Sequence, residues 1–513
     1  MRPNKKTLIL ILLIILGGLI SYSNIFSHEF LWDDEFLIQE NQFIKSWEHL
    51  PQIFSLPSGA GANRLDNFYR PLQLLLYTFI YSLVGLTPWL FLLANVLLHL
   101  GNGVLIFILI KKIFKKENLA FLTSLLWIIH PIHTEVITYM SGTADPLSVF
   151  FGLSSFCFYL NFREKKQSYF LIFSLISFIL ALLSKETIII LPGLFFLYEI
   201  IFSPDRKKIL NYAPLIWFFI IALAYFSLRL TVLNFGHTLN LYQTTNIYTE
   251  NLFIRIFTFL ASLLKYYSFL FFPLNLHMER QFPVFTSFVS PLVLISFFIL
   301  IILGIIVYQA KKRNKLYLVF GIPWFFIAFL PMSGIIPVNS FLLEHWLYFT
   351  SLGFFLCLAG LINDLLKKIS KKFIIILIII IPLLMGLTWK RNQAWTNAFT
   401  FYHDILQYHS GTARIHNNLG MAYVENNDLN QAEKHYLKAI ELGDQYAQTH
   451  YNLARLYLKK DQTEKAINHL EKSLVLNPHF FFSYQLLADI YQNKGEIEKA
   501  QEYFKKAQEI KYY

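Results

Sequence analysis

The sequence predicts an all-α protein in which a polytopic membrane domain is followed by a short α-solenoid. Of its 513 residues, 55% are hydrophobic and only 15% are charged, whereas soluble domains carry roughly 25% charged residues. Long apolar runs alternate with short basic clusters, which is typical of a chain that crosses a membrane many times. After Lys390 the composition changes and a 34-residue period begins, which indicates a helical repeat.

The basic clusters predict how the membrane domain is oriented, because Lys and Arg mark cytoplasmic loops. If every cluster faces the cytoplasm, the chain makes about 11 crossings, starting inside and ending outside. The clusters are residues 2–6, 111–116, 163–166, 206–208, 311–315 and 367–372. The predicted spans are residues 7–26, 88–110, 118–131, 145–162, 168–183, 187–202, 211–231, 289–309, 316–333, 343–366 and 373–389.

Two apolar stretches do not fit this arrangement as crossings. Residues 71–86 are short for a span. Residues 251–273 are long enough, but a crossing there would place the basic cluster at 311–315 outside. Both stretches are therefore expected to be helices that lie in or dip into the outer interface. The run 118–131 is also short, and it is expected to tilt or to extend toward Met140.

The charge distribution and the cysteines exclude several classes of function. The net charge of +12 lies mainly in loops beside apolar spans, which favours orientation signals and contacts with anionic membrane lipids over nucleic-acid binding. Cys157 and Cys357 lie inside apolar runs, so we expect inert packing residues without a disulfide or a cysteine metal site. The apolar run from Thr7 to Ile20 lacks a small-residue cleavage site and is expected to be a retained anchor.

The C-terminal period has the pattern of tetratricopeptide repeats, in which small residues let two helices pack closely. The recurring positions are Leu419, Leu453 and Leu487, then Tyr423, Tyr457 and Tyr491, and then Ala432, Ala466 and Ala500. The pattern predicts a membrane domain over residues 1–390 and an outer repeat domain over residues 391–513. The repeat domain is expected to comprise a partial capping repeat at 391–410 and full repeats at 413–446, 447–480 and 481–513. Such a solenoid offers a groove for a peptide or protein.

A cluster of acids, Trp32-Asp33-Asp34-Glu35, follows the first apolar run directly. Carboxylates are costly to place near hydrocarbon unless a function or a partner holds them there. At an outer membrane face, Asp33 or Asp34 can take a proton from an acceptor hydroxyl while a sugar departs from phosphate. Glu35 either supports them or is solvated. The alternative is a solvated loop that is simply acidic.

Three further residues could meet a phosphate. Arg70 precedes the apolar helix that begins at Pro71, and its planar fork suits bidentate bonds to phosphate oxygens; the alternative is ordinary snorkelling at an interface. Lys185 could neutralise phosphate, or it could form an ion pair with Glu186 or belong to a tight turn. Tyr348 could offer its hydroxyl to phosphate, or it could be an aromatic-belt residue.

A histidine and a glutamate lie at the outer end of the third predicted span. His133 and Glu135 are too close in sequence to share a helix face. The pair could bind a divalent cation, orient a carboxylate or contact phosphate, and the sequence leaves these alternatives open. Asp145, at the start of the next span, is expected to cap a helix.

These motifs, in this order, resemble one family. A diacid after the first span, an Arg-Pro pair, His-Pro-Ile-His-Thr-Glu, Ser-Lys-Glu, a Glu-x-x-Leu-Tyr element and outer tetratricopeptides occur together in the transmembrane and tetratricopeptide-repeat proteins. Those proteins are relatives of the protein O-mannosyltransferases within the GT-C membrane glycosyltransferases. In one position this chain departs from the pattern: relatives often have Arg after the glutamate of the Glu-x-x-Leu-Tyr element, and here that residue is His345.

The resemblance implies a polyprenyl-phosphate-sugar donor, typically dolichyl phosphate mannose in eukaryotic members, and a hydroxyl acceptor on Ser or Thr of a protein. It implies that Asp34 or Asp33 is catalytic. It maps the family's basic-Pro element, which would touch donor phosphate, onto Arg70-Pro71. The further candidates for binding the phosphate are Lys185, Tyr348 and His345, although a neutral imidazole at His345 would weaken phosphate binding. The residues expected to support them are Glu35, Tyr69, His133, Glu135, Glu186 and Glu344.

The sequence as a whole therefore favours an inverting glycosyltransferase that moves mannose or another hexose on the extracytoplasmic face. We expect a bacterial inner membrane with periplasmic repeats, a topology equivalent to an endoplasmic reticulum membrane with lumenal repeats. The expected partners are the lipid-linked sugar, membrane lipids and a protein held in the repeat groove. One alternative is a non-catalytic membrane scaffold that recruits proteins through its repeats. Another is an enzyme of the same superfamily with a lipid acceptor.

Overall fold

The computed structural model describes residues 4–64, 66–203, 212–233, 247–337, 340–368, 372–409, 411–443 and 446–511. Over these residues the chain forms α-helices, short 3-10 helices and one π-helix, and no β-strand occurs among them. The predicted all-α class is therefore confirmed. The chain divides into two compact units, Met1–Thr396 and Asn397–Tyr513.

The first unit is a bundle of apolar helices whose interior is one continuous hydrophobic cluster. Its α-helices are α1 (Lys5–Ser21), α2 (Leu50–Ser55), α3 (Pro71–Val84), α4 (Pro88–Phe114), α5 (Glu117–Ile128), α6 (Thr134–Thr138), α7 (Ala144–Lys165), α8 (Ser168–Ser184), α9 (Leu191–Phe202), α10 (Ala213–Leu230), α11 (Ile247–Glu250), α12 (Leu252–Phe271), α13 (Pro291–Lys312), α14 (Leu316–Phe329), α15 (Leu347–Lys368) and α16 (Lys372–Asn392). Each predicted span falls on one of these helices.

Five described helices are long and apolar enough to cross a membrane, namely α4, α10, α12, α13 and α15 with the turn before it. A sixth crossing results if Glu117–Ile128 and Pro131–Thr138, which are bent by 53° at their junction, form one span. The predicted number of about 11 spans stays a prediction. α12 meets the same criteria of length and composition, as the sequence indicated, and the interfacial position expected for residues 251–273 stays a prediction.

Polar side chains tie the helix ends together at one end of the bundle. Lys111 Nζ lies 2.6 Å from Glu117 Oε1, and Thr7 Oγ1 donates to the same carboxylate oxygen at 2.6 Å. Arg163 binds both oxygens of the buried Glu199 carboxylate, with Nε 2.9 Å from Oε1 and Nη2 3.0 Å from Oε2. These residues lie in or next to the clusters that the sequence placed at the cytoplasmic face. The opposite end of α1 is bound to α16, which leaves the acidic segment after α1 at the other end of the bundle.

Small residues let α14 and α15 approach closely. A Cβ atom added to Gly353 would lie 2.3 Å from the carbonyl oxygen of Gly321, and one added to Gly321 would lie 2.7 Å from the carbonyl oxygen of Gly353. Packing of small residues is a principal source of helix association among apolar helices. The close contact fixes the start of α15, which carries one wall of the site described below.

The second unit is a stack of helix pairs. Its helices are α17 (Ala398–Tyr408), α18 (Ala413–Glu425), α19 (Leu429–Glu441), α20 (Ala447–Lys459), α21 (Thr463–Leu476), α22 (Phe481–Asn493) and α23 (Ile497–Lys511). The repeated leucines at 419, 453 and 487 are fully buried, and the alanines at 432 and 466 are buried opposite them. The 34-residue period therefore reflects the packing of three helix pairs.

Two identical histidine pairs lie inside this stack. The Nδ1 atoms of His416 and His435 are 2.9 Å apart, and those of His450 and His469 are also 2.9 Å apart. Burial, followed by the charge of the partner histidine, lowers the pKa of His435 and of His469 to about 4. Neutral imidazoles are therefore part of the folded repeat.

We expect fragment 397–513 to lose stability as the pH falls from about 6.5 toward about 4. In this window the unfolded chain binds protons that the folded histidines do not take up, so protonation favours unfolding. Thermal unfolding followed by circular dichroism should show a melting temperature lower by about 5 °C or more at pH 4.5 than at pH 7. A variant with both His435→Gln and His469→Gln should show a smaller drop. An equal drop in the variant would contradict this origin of the pH dependence.

Candidate functional site

The acidic segment folds into a tight turn. Asp34 N donates to Leu31 O at 2.9 Å, and Leu31 N donates to Asp34 Oδ2 at 2.9 Å. Trp32 has φ of +56°, a left-handed conformation that is rare for a bulky residue and is retained mainly where the surroundings enforce it. A π-helix, Glu35–Gln39, follows directly. The strained turn fixes the direction of both aspartates.

Asp34 points into the bundle and is only 1% exposed. Its Oδ1 accepts hydrogen bonds from Ser141 N at 2.7 Å and from Ser141 Oγ at 2.5 Å. Burial raises the pKa of Asp34 to about 7, although the bonds from Ser141 and Leu31 oppose this rise. The carboxyl group therefore changes charge near neutral pH.

Asp33 and Glu35 are both half-buried, so their side chains are more accessible than that of Asp34. Asp33 N donates to the hydroxyl of Tyr139 at 2.9 Å. The negative charge of Asp33 contributes to the raised pKa of Asp34, which shows that the two carboxyl groups are close. The acids of the turn thus form an interacting pair with one buried and one accessible member.

A chain of hydrogen bonds links this turn to the start of α3. Ser141, which holds Asp34, accepts at its carbonyl oxygen from Gln73 Nε2 at 2.8 Å. Gln73 Nε2 also donates to Tyr77 Oη at 2.8 Å, and Tyr77 Oη donates to Met140 O at 2.7 Å. Gln73 lies one helical turn after Arg70. The structure therefore brings Arg70 and the turn that carries Asp33 and Asp34, called the diacid turn below, to the same end of the bundle.

Arg70 lies at the beginning of α3 with its guanidinium over the ring of Phe68, at 4.4 Å from the ring centre. Its Nη2 contacts Glu186 Oε1 at 3.4 Å, which is a long contact. Burial opposes ionisation of Glu186, but the charges of Arg70 and Lys185 outweigh it and lower the pKa of Glu186 to about 2. Arg70 and Glu186 are therefore both charged.

Lys185 and Asp145 form a first wall of the site. They are closely paired, because Lys185 Nζ lies 2.7 Å from Asp145 Oδ2. The expectation that Asp145 caps a helix is wrong: the carboxylate lies in the first turn of α7, but the helix has no side-chain cap. The alternative of a Lys185–Glu186 ion pair is not realised either, since Glu186 contacts Arg70. Lys185 and Glu186, although consecutive, thus pair with residues at the starts of two different helices, α7 and α3.

A second wall is built at the start of α15. His345 donates its backbone N–H to Glu135 Oε2 at 3.2 Å, and its Nδ1 lies 2.7 Å from Glu135 Oε1. Next to it, the fully buried Glu344 is paired with Arg280, whose guanidinium stacks on Phe269 at 4.4 Å. The element Glu344–Trp346 is a short 3-10 helix, so successive side chains point to different partners.

A small cleft separates the two walls. Asp145 and His345 both line it, and their partners Lys185 and Glu135 lie behind them. Further lining residues include Ser148, Thr187, Trp346 and Phe349. The lining thus combines a carboxylate, an imidazole and hydroxyl groups with aromatic surface.

Among the predicted site residues His345 lines the cleft itself, and Tyr348, His133 and Tyr69 have surroundings of their own. The Tyr348 hydroxyl is buried between His99 Nδ1, at 2.9 Å, and Asn102 Nδ2, at 3.2 Å. His133 is fully buried among aromatic rings, with no hydrogen-bond partner for either ring nitrogen in the described part of the chain. The hydroxyl of Tyr69 donates to Phe54 O at 2.9 Å. Among the described residues no group of three or more His, Cys, Asp or Glu could hold a metal ion.

Sequence reasoning missed several partners that complete the site. Ser141 and Gln73 hold the diacid turn, Asp145 holds Lys185, and Arg280 holds Glu344. Ser141 and Asp145 belong to one motif, Ser-Gly-Thr-Ala-Asp, whose dense polar residues before a span were the available signal. Arg280 lies in a loop with no pattern that distinguishes it, so only the structure identifies it.

A unit of apolar helices with a buried acidic turn and paired charges at one end, followed by tetratricopeptides, is the arrangement expected of a membrane glycosyltransferase with a repeat domain. Comparison with known families agrees with this class. Residues 70–231 match the family described as "Dolichyl-phosphate-mannose-protein mannosyltransferase". Residues 411–476 and 483–512 match tetratricopeptide repeats.

Three named proteins are similar to this chain, two of them over most of its length. The Caenorhabditis elegans protein named "Protein O-mannosyl-transferase F38B6.6" is 26% identical over 84% of this chain and 62% of its own length. Human "Protein O-mannosyl-transferase TMTC3" is 24% identical over 80% of this chain and 49% of its own length. Mouse "Protein O-mannosyl-transferase TMTC1" is 32% identical, over 35% of this chain and 21% of its own length.

The chain therefore spans less than two thirds of the length of these relatives. It is similar to proteins named O-mannosyl-transferases of the transmembrane and tetratricopeptide-repeat type, and the resemblance seen in its motifs is confirmed. Among solved structures, the crystal structure of MamA aligns at 28% identity over 22% of this chain and 67% of that chain, with a TM-score of 0.21, which supports no conclusion.

The Lys185–Asp145 pair should be a strong stabilising contact of the first unit, since the side chains are only 6% and 14% exposed. Lys185→Gln or Asp145→Asn alone should lower the free energy of unfolding by about 3 kcal/mol, because each leaves a buried charge unpaired. The double variant should lose less than the sum. Thermal unfolding in detergent measures all three.

The exposed pair Lys438–Glu441 is the matched control, with side chains 42% and 69% exposed. Removing either partner there should cost less than about 1 kcal/mol. Additive losses at Lys185 and Asp145 would show that the two charges do not interact as the structure indicates.

Proposed function

We propose that this chain is an inverting, membrane-embedded glycosyltransferase. It transfers mannose or another hexose from a polyprenyl-phosphate donor to a hydroxyl acceptor, a Ser or Thr of a protein, on the extracytoplasmic face. The observation that carries the proposal is the diacid turn, which hydrogen bonds through Ser141 and Gln73 join to the start of α3, where Arg70 lies. A carboxylate that takes up a proton and cations that hold a phosphate are the two components that this transfer requires.

The reaction forms one bond and breaks one. The acceptor oxygen attacks the anomeric carbon of the sugar from the side opposite the phosphate, and the bond between that carbon and the phosphate oxygen breaks. The hydroxyl proton passes to a carboxylate of the diacid turn, and polyprenyl phosphate leaves with an additional negative charge. Cations that gain contact as this charge develops lower the barrier, because they stabilise the transition state more than the substrate.

The two aspartates have different roles in this proposal. Asp33 is the base, since it is half-buried and an acceptor can reach it, whereas Asp34 is enclosed. Asp34 anchors the turn through Ser141 and Leu31. When Asp34 is ionised, its negative charge also makes Asp33 a stronger base, since a nearby like charge favours protonation.

Arg70, Lys185 and His345 hold the phosphate of the sugar donor. Arg70 makes one long contact with Glu186, and its buried Nε has no partner among the described residues, so its fork can take a phosphate oxygen. His345 lines the cleft directly, and Lys185 adjoins it through its partner Asp145. The donor phosphate competes with Asp145 for Lys185. Tyr348 is left out of this set because its hydroxyl is enclosed by His99 and Asn102.

The repeat unit holds the protein acceptor or a partner in its groove, as tetratricopeptide solenoids commonly do. With the basic clusters in the cytoplasm, the diacid turn and the repeats face outward, which corresponds to the periplasm of a bacterial inner membrane or to the lumen of the endoplasmic reticulum. The names of the relatives support protein as the acceptor class.

Replacing the proposed base tests the function directly. Asp33→Asn should lower the rate of sugar transfer at least about 100-fold, because the amide cannot accept the proton. Asp34→Asn should lower it less. The measurement is transfer from a radiolabelled polyprenyl-phosphate mannose to a Ser/Thr peptide by the full chain in liposomes. Glu40→Gln, an exposed acid at the end of the same turn, is the control and should leave the rate unchanged. Unchanged transfer in Asp33→Asn, Asp34→Asn and Arg70→Ala together would favour the scaffold alternative.

The rate should also depend on pH through Asp34. Transfer should rise as the pH increases through about 7, because the ionised Asp34 then strengthens the base. Ser141→Ala removes a hydrogen bond that stabilises the charged carboxylate, so the midpoint of the profile should move to higher pH. Asp34→Asn should remove this rise. If the midpoint in Ser141→Ala is the same as in the wild-type chain, ionisation of Asp34 is not the origin of the pH dependence.

Deleting residues 411–513 distinguishes a protein acceptor from a lipid acceptor. If the repeats hold the acceptor protein, the deletion should raise the KM for an unfolded protein acceptor about tenfold or more and leave the KM for the sugar donor unchanged. Transfer to a short peptide should change less. Equal transfer to protein before and after deletion would contradict the role of the repeats.

A further inference from the structure

Arg280 occupies an unusual position in the loop between α12 and α13. Its side chain is only 6% exposed, and its guanidinium lies between the ring of Phe269 and the buried carboxylate of Glu344. Nη2 also donates to Asn275 O at 3.3 Å. A buried arginine is costly unless its charge is matched. Here Glu344, which is fully buried, provides the match, so each residue of the pair depends on the other.

The Arg280–Glu344 pair acts on the cleft through the residue that follows Glu344 in the chain. Glu344 is the first residue of the 3-10 helix Glu344–Trp346, and the next residue, His345, lines the cleft and bonds to Glu135 through both its backbone and its ring. The charge of Arg280 also stabilises the ionised form of Glu135 across the same wall. Arg280 thus contacts one acid of this wall and acts electrostatically on the other.

One guanidinium nitrogen remains unused. Nη1 of Arg280 is buried and has no acceptor within hydrogen-bonding distance in the described ranges, and the same holds for Oε2 of Glu344. A pair retained with unsatisfied atoms is not optimised for stability alone. Its strongest consequence in the structure is the fixed orientation of the turn that carries His345.

We infer that Arg280 is a positioning residue for the phosphate of the sugar donor. By holding Glu344 it fixes the 3-10 turn, and the fixed turn holds the His345 imidazole at the wall of the cleft. This inference rests on the proposed function for its ligand, but the geometric part, that Arg280 orders residues 343–347, stands without it.

The experiment compares Arg280→Ala, Arg280→Lys and Arg255→Ala in the full chain reconstituted in nanodiscs. Arg255 is the matched control, because it is a buried arginine whose hydrogen bonds within the described ranges all go to backbone carbonyls, with Nε 2.7 Å from Gly334 O and Nη1 2.7 Å from Thr249 O. Hydrogen exchange of the peptide covering 343–347 reports the order of the turn, since the His345 amide is bonded to Glu135. The KM and kcat of transfer from polyprenyl-phosphate mannose report how the site binds and uses the sugar donor.

Arg280→Ala should accelerate exchange at 343–347 and raise the KM for the sugar donor about tenfold, with a smaller change in kcat. Arg280→Lys keeps the charge without the planar fork, so both effects should be partly rescued. Arg255→Ala should lower the melting temperature and leave both readouts unchanged.

Two results would overturn the inference by itself: unchanged exchange at 343–347 in Arg280→Ala, or faster exchange with an unchanged KM in a chain that transfers sugar. Absence of transfer by the wild-type chain would instead overturn the proposed function, and with it the assignment of the phosphate as the ligand. The exchange result then still decides whether Arg280 orders the turn.

Discussion

The pairing of buried charges is the constraint on which this site depends. Charged groups at the edge of an apolar bundle lose their hydration, and only close partners of opposite charge or several hydrogen bonds offset that loss. Asp34 meets this requirement with three hydrogen bonds, and Lys185 meets it with one short ion pair. The positions of the side chains around the cleft follow from these partners more than from the helices themselves.

Each partner comes from a distant part of the chain. Ser141 lies 107 residues from Asp34, Glu186 lies 116 residues from Arg70, and His345 lies 210 residues from Glu135. The contacts therefore join the ends of α3, α7, α8 and α15 into one polar layer. A substitution at one partner leaves the other buried and uncompensated, so the layer responds as a unit. In the proposed function, a donor phosphate that replaces one of these acids would therefore affect several elements together.

The two units were accessible to sequence reasoning to different degrees. The repeat unit could be predicted in detail, because a 34-residue period fixes which positions pack between helices, and Leu419, Leu453 and Leu487 are buried accordingly. The apolar helices could also be located, since hydrophobic runs report length. The partner of each charge could not be predicted, because apolar runs contain no information about which helices are neighbours. This is why Asp145 was expected to be a cap and is an ion-pair partner.

The sequence by itself determined the helical class, the position of the apolar helices, the repeat and the acids and cations that lie outside the apolar runs. These follow from local composition and periodicity, which act over tens of residues. Only the tertiary structure decided that Asp34 turns inward to Ser141, that Tyr348 is withdrawn from the cleft, and that Arg280 supports the turn before α15. Such choices depend on which groups remain to satisfy a buried charge once the helices have packed, and that is a property of the whole fold.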